Sequence, residues 1–71
     1  MKIYLTLYDK NGEGTIVSHT YNGELKNVGT HAEELAKGYL KDFDNIDEVR
    51  WEVVKIKDTG LLSRKQWEEK I

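Results

Sequence analysis

The chain contains no cysteine, which removes two common ways of holding a small domain together: a disulfide framework and a thiolate metal site. It also lacks an apolar run long enough for a signal peptide or a membrane span. Together these absences lead to the expectation of a soluble, cytoplasmic protein that makes no membrane contact. A strong charge of either sign is missing too, since 11 Lys and Arg stand against 13 Asp and Glu for a formal net charge of −2. That balance disfavours a dedicated duplex-binding surface, which needs clustered cations. Histidine is scarce, and His19 and His31 offer no zinc-ligand spacing. There are no repeats and no low-complexity tracts. With 71 residues, the chain is expected to form one domain, residues 1–71, burying about 60% of the surface its unfolded form exposes. A deep, shielded reaction pocket is not expected at that size.

What is present begins with a helix signature. Over residues 30–43 the apolar side chains Ala32, Leu35, Ala36, Tyr39, Leu40 and Phe43 recur at intervals that place them on one helical face. Thr30 and Glu33 have the spacing of a capping box, which marks a start. A lone helix of this length is marginal in water, so the rest of the chain must cover its stripe.

The cover comes from strands. Residues 1–8 alternate Met1, Ile3, Leu5 and Leu7 with Lys2, Tyr4, Thr6 and Tyr8, the period of a strand with one buried face. The run Asp9, Lys10, Asn11, Gly12, Glu13, Gly14 is a turn, and Asn11-Gly12 suits a two-residue type I′ hairpin. A second strand follows over residues 15–21. The short turn would set Leu7 opposite Ile16 and Leu5 opposite Ser18 on the core side, with Tyr4 opposite His19 outside. A longer, bulged loop would instead bring Val17, His19 and Tyr21 inward. The alternation of Val49, Trp51 and Val53, shifting phase to Val54 and Ile56, predicts a third strand over residues 49–57 with a bulge at Val53-Val54. Asp58, Thr59 and Gly60 read as a turn. Ser63 and Gln66 make a second capping box, and Leu62 is placed to staple onto Trp67, opening a short helix from Arg64 to about Lys70 with Trp67 and Ile71 inward. The order β-β-α-β-α predicts an α+β domain: a three-stranded antiparallel sheet in the order 2-1-3, with the main helix on one face and the short helix at the C-terminus.

Four stretches bear on chemistry. Asp9, Asn11, Glu13, Gly14 and Ile16 fall at the first, third, fifth, sixth and eighth positions of a loop that resembles the calcium loop of EF-hand proteins. The twelfth position, where that family needs a bidentate glutamate, is Thr20, and the flanks read as strands. A polar hairpin turn, with no metal and no cofactor, is therefore expected. Second, the middle of the chain, residues 31–48, is net −4 and residues 49–71 are net +2. Asp42, Asp44, Asp47 and Glu48, with Glu33 and Glu34 upstream, form an acidic zone that predicts contact with a basic protein partner. Third, Ser18 and His19 are adjacent and so point to opposite faces of a strand, which rules out a dyad. No nucleophile, base and orienting group converge in the pattern, so an enzyme is not expected. Fourth, Lys2, Tyr4, Tyr8, His19 and Tyr21 would form an aromatic platform suited to single-stranded nucleic acid if the short turn sets the register. The favoured expectation is that the terminal helix, through Leu61, Leu62, Trp67 and Ile71, folds over that face, because the Trp67 ring needs burial.

The expected function is a small non-enzymatic protein-binding module working through the acidic surface. Its size fits the accessory and inhibitory proteins that phages and mobile elements encode. The alternative is a nucleic-acid-binding module using the aromatic face, and a homodimer through a sheet edge or the Trp67 helix could accompany either.

Overall fold

The structure is a computed structural model that describes residues 1–54 and 58–69. It runs β1 (Lys2–Asp9), β2 (Gly14–Thr20), a single 3-10 turn (Leu25–Asn27), α1 (Val28–Asp42), β3 (Ile46–Val53), β4 (Asp58–Ser63) and α2 (Arg64–Glu69). The strands form one antiparallel sheet in the order β2-β1-β3-β4. The α+β class and the central position of β1 match the expectation, but the sheet has four strands instead of three.

The extra strand is β4. Asp58, Thr59 and Gly60 carry turn-forming residues yet lie in the ladder, paired with Val53, Glu52 and Trp51. The glycine is the reason. A Cβ at Gly60 would stand inside the Trp51 indole, so the residue that looked like a turn former is the space into which the neighbouring ring packs.

The hairpin takes the longer of the two loops. Gly12 donates to the Asp9 carbonyl at 3.0 Å and Asp9 N donates back to the Glu13 carbonyl at 3.0 Å, enclosing residues 10–12. The Asp9 carboxylate accepts from the amides of Asn11 at 2.8 Å and Glu13 at 3.0 Å. Gly12 supplies the left-handed position with φ of 84°. This loop pairs Leu5 with Val17 and Ile3 with His19, turning Val17 and His19 toward the helix side and Ile16 to the outer face.

α1 starts three residues earlier than the capping box implied. Its N-cap is Asn27, with no side-chain bond, and Thr30 lies inside the first turn. The buried stripe is Val28, Ala32, Ala36 and Leu40, one residue per turn; Leu35 and Tyr39 pack half-buried beside it, while Phe43, where the helix ends, is 49% exposed. The helix lies over β3, with lesser contact to β4 and β1 and little reach to β2. Ile3, Leu5, Leu7, Ile46, Val49, Val53 and Leu62 complete the core.

β3 begins at Ile46, three residues before its expected start. A register shift opposite Tyr8 and Asp9 lets Ile46 and Val49 both face inward. The expected bulge at Val53-Val54 is not seen, because the strand ends at Val53 and Val54 N donates to the Lys2 carbonyl at 3.0 Å. The strand's expected extension over 55–57, and Ile71, lie outside the described residues.

At the C-terminus, Gln66 N donates to Ser63 Oγ at 3.2 Å, the expected half of the capping bond. Trp67 packs against the core cluster that contains Leu62. Arg64 supplies a tie that the pattern gave no hint of. Its Nε donates to the Ile46 carbonyl at 2.9 Å, and its Nη2 donates to the carbonyls of Leu40 at 2.7 Å and Phe43 at 2.8 Å. One guanidinium thus holds α2 against the C-terminal end of α1, where unpaired carbonyls and the helix dipole both favour a cation.

Candidate functional site

Both helices pack on one side of the sheet, and among the described residues no element covers the other. Its surface follows from strand alternation and register. One cross-strand row reads Ile16, Thr6, Arg50, Leu61; the next reads Ser18, Tyr4, Glu52, Thr59; a third reads Gly14, Tyr8, Glu48, Ser63. Four apolar side chains stand out on this face: Ile16 is 69% exposed, Leu61 45%, Val54 40% and Tyr4 39%. They border a shallow open depression of about 900 Å³, whose floor includes Thr6 and Arg50.

The polar groups are interleaved with opposite signs. Arg50 Nε donates to Glu48 Oε2 at 3.1 Å, and the guanidinium stands 5.5 Å from the Tyr8 ring centroid. Lys2 Nζ donates to Thr20 Oγ1 at 3.3 Å. Lys2 and Arg50 are balanced by Glu48 and Glu52, so the face is locally near neutral.

Two sequence expectations change here. α2 does not cover the outer face, because Arg64 and Trp67 dock it beside α1. The aromatic platform loses His19 and Tyr21, which the longer hairpin loop places on the helix side. His19 Nε2 lies 2.9 Å from the Tyr39 hydroxyl, and Tyr21 packs on His31 with ring centroids 4.9 Å apart while donating to the Glu24 carbonyl at 2.8 Å. Lys2, Tyr4 and Tyr8 remain on the open face and are joined by Thr6, Ile16, Arg50, Glu52 and Leu61. Thr6 already alternated outward with Lys2, Tyr4 and Tyr8 in the sequence; Ile16 was missed because the face of β2 depended on one residue of loop length, and Leu61 because β4 read as a turn.

The acidic residues do not form one cluster. Glu34 and Asp42 border a groove of about 330 Å³ beside β2, lined also by His19, Leu35, Tyr39 and Phe43. Glu33 is half-buried about 100° around the helix from Glu34. Asp44 and Asp47 are exposed at the corner between α1 and β3, and Glu48 sits on the open sheet face beside Arg50. Among the described residues no three His, Asp or Glu side chains are placed to hold a metal ion, and none of the buried residues is polar or charged. The segment resembling a calcium loop is a hairpin whose Asp9 carboxylate accepts from its own loop amides. No helix among the described residues is long and apolar enough to cross a membrane.

No family model matches the chain, and neither a curated protein nor a solved structure matches it.

Proposed function

We propose that this chain is a non-enzymatic protein-binding module whose docking surface is the open face of the sheet. The observation that carries the reading is the run of exposed Ile16, Leu61, Val54 and Tyr4 around Arg50, on the side opposite both helices. Exposed apolar groups gathered with polar ones around a depression on one face mark interaction surfaces on soluble domains. Aromatic residues and arginine are enriched among the side chains that dominate binding, and full burial of one large apolar side chain is worth about 1.5–3 kcal/mol. The alternation of Arg50 with Glu48 and Glu52 supports a protein partner of mixed charge over nucleic acid, because a phosphate backbone would meet carboxylates on both sides of Arg50. The exposed Asp44 and Asp47 corner is the competing docking surface.

Site-specific photocrosslinking in the producing cell separates these. A photoreactive amino acid at position 59 or 6, on the open face, should trap a protein, and the same group at position 44 should not. Adducts from position 44 alone, or adducts of twice the chain's own mass alone, would overturn the reading. A fluorescent oligonucleotide titration supplies the other arm: salt-sensitive binding lost in Tyr4→Ala would replace the protein partner with nucleic acid.

A further inference from the structure

β2 forms one edge of the sheet, and the hydrogen-bond pattern shows which of its groups are spent. At one end Asp9 N donates to the Glu13 carbonyl; at the other Tyr21 N donates to the Met1 carbonyl at 2.9 Å and the Met1 ammonium donates to the Tyr21 carbonyl at 3.1 Å. Bonded and non-bonded pairs alternate along an antiparallel ladder. Residues 15, 17 and 19 therefore use their backbone groups on β1, and Gly14, Ile16, Ser18 and Thr20 direct theirs away from the sheet.

Such a row is a template for another strand, and sheets ordinarily blunt it with lysine, proline, a bulge or a covering element. β2 has none of these. Its seven residues, Gly-Thr-Ile-Val-Ser-His-Thr, include no Lys, Arg, Asp, Glu or Pro. The pairing with β1 runs without a register shift from Lys2 with Thr20 to Tyr8 with Gly14. α1 touches this strand at His19, through the Tyr39 hydroxyl, and leaves five of the seven residues exposed and the other two half-buried.

We propose that this edge pairs with the same edge of a second copy of the chain, antiparallel, about a two-fold axis at Val17. The strand is self-complementary about that residue. Gly14 falls opposite the partner's Thr20 and Ile16 opposite the partner's Ser18, so every outward backbone group meets another outward group. An uncharged strand brings no like charges together when paired with itself. On the helix side the same edge is bordered by a groove lined by Leu35, Tyr39 and the exposed Phe43 together with Glu34 and Asp42. The product is one continuous sheet in the order 4-3-1-2-2-1-3-4, with both open faces on the same side. An extended segment of a different protein is the rival occupant of the edge. The proposal stands apart from the docking face, since it uses the strand's backbone edge.

Sedimentation equilibrium of the full chain, over concentrations up to several hundred micromolar, should give twice the 8.3 kDa chain mass. Ser18→Lys, and separately Ile16→Pro, should return the monomer mass with the far-UV circular dichroism of the wild type; the proline removes a donor that the chain itself does not use. Val17→Cys adds the first cysteine to the chain, at a position whose non-bonded cross-strand pairing sets Cα atoms about 4.5 Å apart, within disulfide reach. It should oxidise to a covalent dimer, whereas Thr59→Cys on the opposite edge strand should not. A monomeric wild type that takes up strand peptides of another protein would overturn the proposal. So would a dimer that survives both edge variants, or a folded Val17→Cys chain that fails to cross-link.

Discussion

Replacing Arg64 by alanine removes a single side chain that ties three segments together, and the size of the loss can be worked from its contacts. The guanidinium donates to the carbonyls of Leu40, Phe43 and Ile46 at 2.7 to 2.9 Å, and the side chain is 17% exposed. Removing a hydrogen bond to a charged group costs about 1.5–3 kcal/mol. The three bonds share one cation and the Phe43 bond is exposed, so the terms do not simply add. The ion pair to Glu68, at 3.8 Å with the carboxylate 61% exposed, adds little. The expected destabilisation is about 2–4 kcal/mol. In a domain of this size each kcal/mol lowers the melting temperature by about 4–8 °C, so the midpoint should fall by about 8–32 °C. Urea unfolding followed by tryptophan fluorescence measures it. Arg64→Lys keeps a charge near the α1 terminus but replaces the fork with a point donor, and should lose about half as much. Lys65→Ala, one residue along and exposed, should stay within about 0.5 kcal/mol of the wild type. A loss below about 1 kcal/mol for Arg64→Ala, or equal losses for positions 64 and 65, would refute the idea that α2 is held through these carbonyls.

Gly60→Ala drives a methyl group into the Trp51 indole; it should cost about 1–3 kcal/mol and red-shift the Trp51 emission, read in a Trp67→Phe background. Gly12→Ala meets a left-handed backbone and should lose about 1 kcal/mol in chemical denaturation, while Gly12→Asn should lose less. Leu5→Ala empties a fully buried site at the centre of β1 and should cost about 2–5 kcal/mol by the same assay.

The α+β class, the placement of β1 and the buried positions of α1 were legible because period-two and period-3.6 patterns are written in residue types. Ala32, Ala36 and Leu40 belong to the helix stripe in both sequence and structure. The helix start was not legible in the same way, since a capping box at Thr30 and Glu33 is a local signal. The chain enters the helix earlier, at Val28, where an apolar side chain reaches the core. The hairpin register turned on one residue of loop length, which decided the faces of Ile16, His19 and Tyr21. β4 was hidden because Gly60 means a turn in sequence but a ring-sized space in the sheet. The docking face suffered from both ambiguities: two of its expected residues moved to the other side, and Arg50, Glu52 and Leu61 became neighbours only through pairing across strands distant in sequence. Arg64 was invisible for a related reason, since its partners are backbone carbonyls, which no residue type announces.

The central place of β1 also sets a timetable for synthesis. β1 and β2 are made before the rest of the sheet and can form their hairpin early, but the strand on β1's other side is β3, which ends at Val53. At about 5–20 residues per second, roughly 2–9 s separate the end of β1 from the end of β3. A two-stranded hairpin has little stability alone, so through that interval Ile3, Leu5 and Leu7 sit on a strand with one side unpaired. The most apolar strand of the finished molecule is the one that waits longest for its second neighbour, and the nascent chain is most exposed to strand addition by other chains before residue 53 has been made.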